Sequence, residues 1–130
     1  MAITPINELV ETAKSKITSL SVDQTQAKIA DGSALLVDIR DIRERQRGHI
    51  PGSVHCPRGM LEFWVDPESP YFKDIFSQEG KTYLFHCASG WRSAISVATL
   101  QDMGFDAAHL KDGFSGWEKA GGPVEKKAAK

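Results

Sequence analysis

The chain has 130 residues, 41% of them hydrophobic and 25% charged, with a formal net charge of −1. These values fit one compact domain around one core. They give no global electrostatic support for nucleic-acid binding, and no apolar run approaches the roughly 20 residues of a membrane helix.

Met1-Ala2-Ile3-Thr4-Pro5 has no basic region followed by an apolar one, so no signal peptide is expected. Ile6, Leu9, Val10, Ala13 and Ile17 then recur at helical spacing. They predict a helical extension over residues 1–17 that either packs on the domain or self-associates. Ser21 and Gln24 form a capping box ahead of a helix over Val22 to Ala30, with Gly32 as its stop. Ala34 to Ile39 is a short, mostly apolar run, predicted to be a strand buried on both faces. Asp41 to Arg47 reads as a short polar helix ended by Gly48, and Ser53 to Cys56 as a brief strand. Residues 57 to 80 read as irregular, because Pro57, Pro67 and Pro70 interrupt any long element. The same stretch holds Met60, Leu61, Phe63, Trp64, Tyr71 and Phe72, and a segment this apolar is expected to fold over something.

Residues 81 to 86 predict a strand, 92 to 103 a helix ended by Gly104, and Ala107 to Leu110 a strand. Asp112 to Trp117 is a turn entering a last short helix, and Glu125 to Lys130 a Lys/Ala-rich tail expected to fray. Strands alternating with helices predict an α/β domain with a parallel sheet, whose ligands bind at the carboxyl ends of the strands.

Cys87 lies at such an end. It follows Tyr83-Leu84-Phe85-His86 and opens Cys87-Ala88-Ser89-Gly90-Trp91-Arg92-Ser93, directly before a helix. The first N–H groups of a helix lack partners and the macrodipole is positive there, so a thiolate at that place is stabilised. Gly90 permits the sharp turn that aims backbone N–H groups inward, and Arg92 adds a full positive charge. The pattern is an anion cradle beside a nucleophile.

Four stretches resemble single-domain rhodanese-like sulfurtransferases, over about residues 18 to 124. They are Leu36-Val37-Asp38-Ile39-Arg40-Asp41, Gly48-His49-Ile50-Pro51-Gly52-Ser53, Cys87-Ala88-Ser89-Gly90-Trp91-Arg92-Ser93 and Asp112-Gly113-Phe114-Ser115-Gly116-Trp117. The resemblance implies a three-layer domain with a central parallel five-stranded sheet flanked by helices. It implies that Cys87 takes sulfur from a donor such as thiosulfate, holds it as a persulfide and passes it to cyanide or a thiol. A sulfur-carrier or regulatory module relaying sulfur to a partner protein is the alternative, and a phosphatase or arsenate reductase of the same fold a third reading. Loop length argues against the third. Four residues separate Cys87 from Arg92, whereas the resembling cysteine phosphatases enclose five. No carboxylic acid follows Cys87 closely either; Asp102 is the nearest in sequence.

The rest of the site can be read from residue chemistry. Ala88 to Arg92 are expected to ring the persulfide with N–H groups, while Arg92 either holds donor oxygens or braces the loop. Asp38 and Arg40 are expected to shape the fold, since a charge on an apolar strand needs partners. Arg58, Phe63 and Trp64 are candidate pocket residues, with a solvated Arg58 and core packing of the two aromatics as their alternatives. Cys56 is expected to be a small buried hydrophobe, with a resolving role toward Cys87 as the alternative. The His55-Cys56 and His86-Cys87 pairs predict no metal site, because neighbours on a strand point to opposite faces. No cofactor is expected. Cys56 and Cys87 form no C-x-x-C or disulfide framework, so a reduced, cytoplasmic setting is expected.

Overall fold

The computed structural model describes residues 3–126. Five parallel strands form one sheet: β1 (Thr18–Leu20), β2 (Ala34–Asp38), β3 (Val54–His55), β4 (Thr82–His86) and β5 (Ala108–Leu110), in the order β1-β5-β4-β2-β3. Six α-helices accompany them: α1 (Ile6–Lys16), α2 (Val22–Ala30), α3 (Ile42–Arg47), α4 (Leu61–Val65), α5 (Trp91–Asp102) and α6 (Gly113–Lys119). Among the described residues no helix is long and apolar enough to cross a membrane.

Period-two alternation divides the core into two layers. Val37, Ile39, Tyr83, Phe85 and Cys87 face Leu61 and Val65 of α4 and Val97 and Leu100 of α5. Leu36, Leu84, Ala108 and Leu110 face Phe114 and Trp117 of α6, with Val22 of α2 packed alongside. Burial on both sides is why β2 and β4 read as continuous apolar runs. Part of the N-terminal stripe packs on the domain: Val10 and Ala13 of α1 bury against Ala94 of α5, with Ile95 and Ala98 beside them, while Ile6 and Leu9 are exposed. Small residues at that contact let the two helices approach closely.

The capping box at Ser21 forms as expected, with Gln24 N–H donating to Ser21 Oγ at 3.1 Å. A second box starts α3, where Arg43 N–H donates to Asp41 and Asp41 N–H donates to Glu44.

Several expectations need correction. β1 went unread because it is a three-residue edge strand with only Leu20 buried, too short to show alternation. Ile17 is not part of the first helix but its extended C-cap. The 57–80 stretch is not wholly irregular. Its prolines leave room for a 3-10 turn at Arg58–Met60, for α4, and for a second 3-10 turn at Asp74–Ser77. The strand expected over Ser53 to Cys56 shrinks to Val54–His55. Glu125 is not frayed, because its N–H and C=O both bond His49, at 2.8 Å each. The rest of the expected tail, from residue 127, lies outside the described residues, as do Met1 and Ala2.

Candidate active site

β4 delivers Cys87 to the carboxyl edge of the sheet, 1% exposed. The chain then turns through Ala88, Ser89 and Gly90 into α5. Gly90 has φ +99, and a methyl group there would overlap the Lys111 carbonyl oxygen as well. Both backbone conformation and space therefore require glycine. The turn aims Gly90 N–H at the Cys87 sulfur at 3.1 Å and Ser93 N–H at 3.4 Å, and Ser93 Oγ lies 3.6 Å from it.

The opposite side of the loop is clamped. Phe114 N–H donates to the Cys87 carbonyl at 2.8 Å, and Ser115 N–H to the Ala88 carbonyl at 2.9 Å. With those carbonyls held by the start of α6, the loop N–H groups face the sulfur. Gly113, at φ +64, lets the two segments meet, since a Cβ there would stand 2.6 Å from the Ala88 oxygen. This is the physical role of the Asp112-Gly113-Phe114-Ser115 stretch.

Burial pushes the Cys87 thiol up, but hydrogen bonds from the Ser93 backbone and side chain, Gly90 and Ser89 outweigh it, so its pKa lies below the ordinary thiol value. Hydrogen bonding to the charged form wins over desolvation here. The donors to the sulfur come from within the expected loop, Ser89, Gly90 and Ser93, and Ser93 takes part twice.

Arg92 pairs with Glu44 through two contacts of 3.0 Å each. The hydrogen bond it donates to Glu44 raises the Arg92 pKa, and the Cys87 sulfur contributes in the same direction. The chain leaves β2 and β4 into α3 and α5, and the strand order reverses between those two strands. The Arg92–Glu44 pair spans that crevice, the usual ligand position in an open parallel sheet. Ala88 is half-buried, and Ser89 and Trp91 are exposed at the mouth. A cleft of about 670 Å³ opens beside Ser89, lined also by Ser21, Asp23, Asp112, Ser115 and Lys119.

Asp38 and Arg40 lie beneath the site. Arg40 is paired bidentately with Asp38 at 3.0 and 2.9 Å, donates to the Gly48 carbonyl at 2.7 Å and stacks on Phe114 at 4.3 Å. Arg45 adds a contact to Asp38 at 3.3 Å and holds Ser53. Burial pushes the Asp38 carboxyl up; the Arg40 hydrogen bonds, aided by nearby positive charge, bring it below the ordinary value. Removing one partner of such a buried set leaves an uncompensated charge and costs about 3–5 kcal/mol.

The other candidates make contacts of their own. Arg58 is not a loop residue and not freely solvated; it is half-buried, pairs with Glu62 at 2.8 Å and acts electrostatically on Cys56. Phe63 stands edge-on to Tyr71 and is half exposed, and Trp64 packs on the core beneath the Lys73 ammonium. Cys56 is fully buried, and burial pushes its thiol up to about 12. Sequence reading missed Glu44, Arg45 and Asp112. It used distance along the chain to dismiss carboxylates, whereas the fold brings Glu44 and Asp112 to the mouth. An acidic residue at the start of a helix was the available signal for Glu44.

A family model for the rhodanese-like domain matches residues 21–120. "Putative sulfurtransferase YtwF" of Bacillus subtilis (strain 168) is 32% identical over 104 residues, covering 79% of this chain and 92% of that protein. "Putative sulfur carrier protein YrkF" of the same organism is 30% identical over 92 residues, covering 70% of this chain; the chain spans only 45% of that relative's length. Among solved structures, a protein of unknown function from Rhodopseudomonas palustris CGA009, described as a possible tyrosine phosphatase, superposes with a TM-score of 0.88. It is 45% identical and covers 96% of this chain and 97% of its own. By the extent of the family match and the likeness to YtwF, this chain belongs to the rhodanese-like domain family.

Proposed function

We propose that this protein is a sulfurtransferase that moves a sulfane sulfur from an anionic donor such as thiosulfate to cyanide or a thiol, through a persulfide on Cys87. The observation that carries this reading is the cradle itself. Gly90 and Ser93 N–H groups converge on one sulfur that has a lowered pKa. The Cys87 thiolate attacks the outer sulfur of thiosulfate, a new S–S bond forms, and sulfite departs with the electron pair of the bond that breaks. Cyanide then attacks the outer sulfur of the persulfide, thiocyanate leaves, and the thiolate is restored. Neither half-reaction needs an outside oxidant or a general base. Fixed N–H dipoles stabilise the anion at both stages. The crevice end of the sheet and Arg92 favour a negatively charged donor. Passage of the sulfur to a protein acceptor uses the same intermediate, and the sulfur-carrier name of YrkF supports that variant.

Phosphate-ester hydrolysis is the second reading. The description of the R. palustris protein and the position of Asp112 beside Ser89 favour it. The four-residue spacer between Cys87 and Arg92 opposes it, because it makes a ring tight enough for one sulfur and short of room for a phosphoryl group.

One experiment separates the two. Intact mass after incubation with thiosulfate should rise by one sulfur atom, and cyanide should remove it. Cys87→Ser should abolish both the adduct and thiocyanate formation. Aryl phosphate hydrolysis, assayed beside it, should be negligible. Cys87-dependent phosphate release faster than thiocyanate formation would overturn the sulfur reading.

A further inference from the structure

A chain of hydrogen-bonding groups runs from the buried sulfur to the surface. Cys87 Sγ lies 3.6 Å from Ser93 Oγ, Ser93 Oγ lies 3.0 Å from His109 Nδ1, and His109 Nε2 lies 2.9 Å from Ser19 Oγ. Cys87, Ser93 and His109 are all buried, while Ser19 is exposed. Register explains the alignment, since Ser19 and His109 are direct partners in the β1–β5 ladder. His109 alternates away from Ala108 and Leu110, toward α5.

We propose that His109 is a positioning residue: through Nδ1 it fixes the Ser93 hydroxyl as a donor to the Cys87 thiolate, and with Ser19 it completes a path by which the thiol proton reaches solvent.

The direction of the chain is set by counting protons. Burial, with Lys14 adding to it and Asp112 opposing, lowers the His109 pKa to about 4. Its ring therefore carries one proton near neutrality. If Ser93 gives its only proton to the thiolate, it accepts from His109, so the ring proton sits on Nδ1. Nε2 is then an acceptor and Ser19 donates to it. If Cys87 is a thiol donating to Ser93, every bond reverses and the ring proton sits on Nε2. Ionisation converts the second arrangement into the first. The sulfur proton passes to Ser93 Oγ, the Ser93 proton to Nδ1, and the Nε2 proton to Ser19, whose own proton goes to water. One proton leaves, the imidazole changes tautomer, and no redox partner is needed. The other charged groups bearing on the sulfur are Arg92 and, through it, Glu44 of α3.

The proposal rests on Cys87 working as a thiolate, but its test uses no sulfur donor, so its failure and the failure of the sulfur-transfer reading are separable. The ¹⁵N shifts of His109 in the unmodified protein report the tautomer directly. We expect Nδ1–H while Cys87 is ionised, changing to Nε2–H as acid protonates the sulfur. An Nε2–H ring beside an ionised Cys87, or a tautomer indifferent to the state of the sulfur, overturns the proposal. The companion measurement is Cys87 alkylation by iodoacetamide against pH. His109→Leu should move the profile to higher pH and slow alkylation at pH 7 by about three- to tenfold, the worth of one hydrogen bond. His109→Asn keeps a donor near Nδ1 and should recover most of that rate. A folded His109→Leu protein with the wild-type profile also overturns the proposal. If that variant does not fold, the tautomer measurement decides alone.

Discussion

Cys56 and Cys87 leave the same face of one sheet, at the same end of parallel strands, each directly after a histidine. β2 separates their strands, and Asp38 is in register with both His55 and His86. Each thiol is at most 1% exposed. Burial nevertheless sends one up to about 12, while the other ends below its ordinary value. The difference lies in the residues immediately after each cysteine. Among the described residues the Cys56 sulfur has the Pro57 carbonyl, an acceptor, as its hydrogen-bond partner, at 3.9 Å. Cys87 is followed by a glycine turn that aims N–H groups at the sulfur. Neither strand position nor burial makes a thiolate. Convergent donors do, and after Cys56 the Arg58 and Met60 N–H groups go to the Ile39 and Pro57 carbonyls instead.

The contrast breaks most severely at Gly90. Gly90→Ala places a side chain at φ +99 against the Lys111 carbonyl, a strain worth about 1–3 kcal/mol. The turn has to open, and Gly90 N–H leaves the sulfur. Cys87 should then resemble Cys56. Iodoacetamide alkylation at pH 7 and sulfur transfer should each fall by at least about tenfold. A well-folded Gly90→Ala protein with unchanged alkylation would show that the glycine is not what makes the cradle.

How much of this was legible in the sequence depended on the range of the interaction. β2 and β4 were legible because burial on both faces leaves a dense apolar run, and Gly90 because a turn from strand to helix after a cysteine has few solutions. Asp38 and Arg40 were legible because their contact is local, two positions apart. The partners of the loop were not. Arg92 meets Glu44 across 48 positions and Ser93 meets His109 across 16, and both meetings depend on strand order, which periodicity does not encode. β1 was invisible for a related reason: Thr18 and Ser19 are exposed, so the strand exists only through its pairing with β5.

A smaller effect concerns the charge at the Cys87 loop. Arg92 is nearly half exposed, so solvent and salt screen its action on the sulfur. Arg92→Ala should lower transfer from thiosulfate by about three- to tenfold at low salt, and by less at high salt. Glu44→Gln should act in the opposite direction, since it frees the guanidinium for an anionic donor while glutamine still caps α3. Initial rates of both variants across ionic strength make the measurement. Equal losses in the two would show that the pair merely braces the loop.

The smallest expected effect is at Cys56 itself. It has no cradle, its thiol is held protonated, and Arg58 and Glu62 beside it pair with each other. Cys56→Ser should keep sulfur transfer within about twofold of wild type, because no donor to the Cys87 sulfur changes. The cost should appear in stability instead, about 1–3 kcal/mol for a buried hydroxyl, moderated if the Pro57 carbonyl accepts its proton. Cys56→Ala separates the two contributions, because it loses packing without burying a polar group. Urea unfolding midpoints for both variants, read beside thiocyanate production, test this. A stable, folded Cys56→Ser protein without sulfur transfer would place Cys56 in the chemistry and dissolve the contrast between the two thiols.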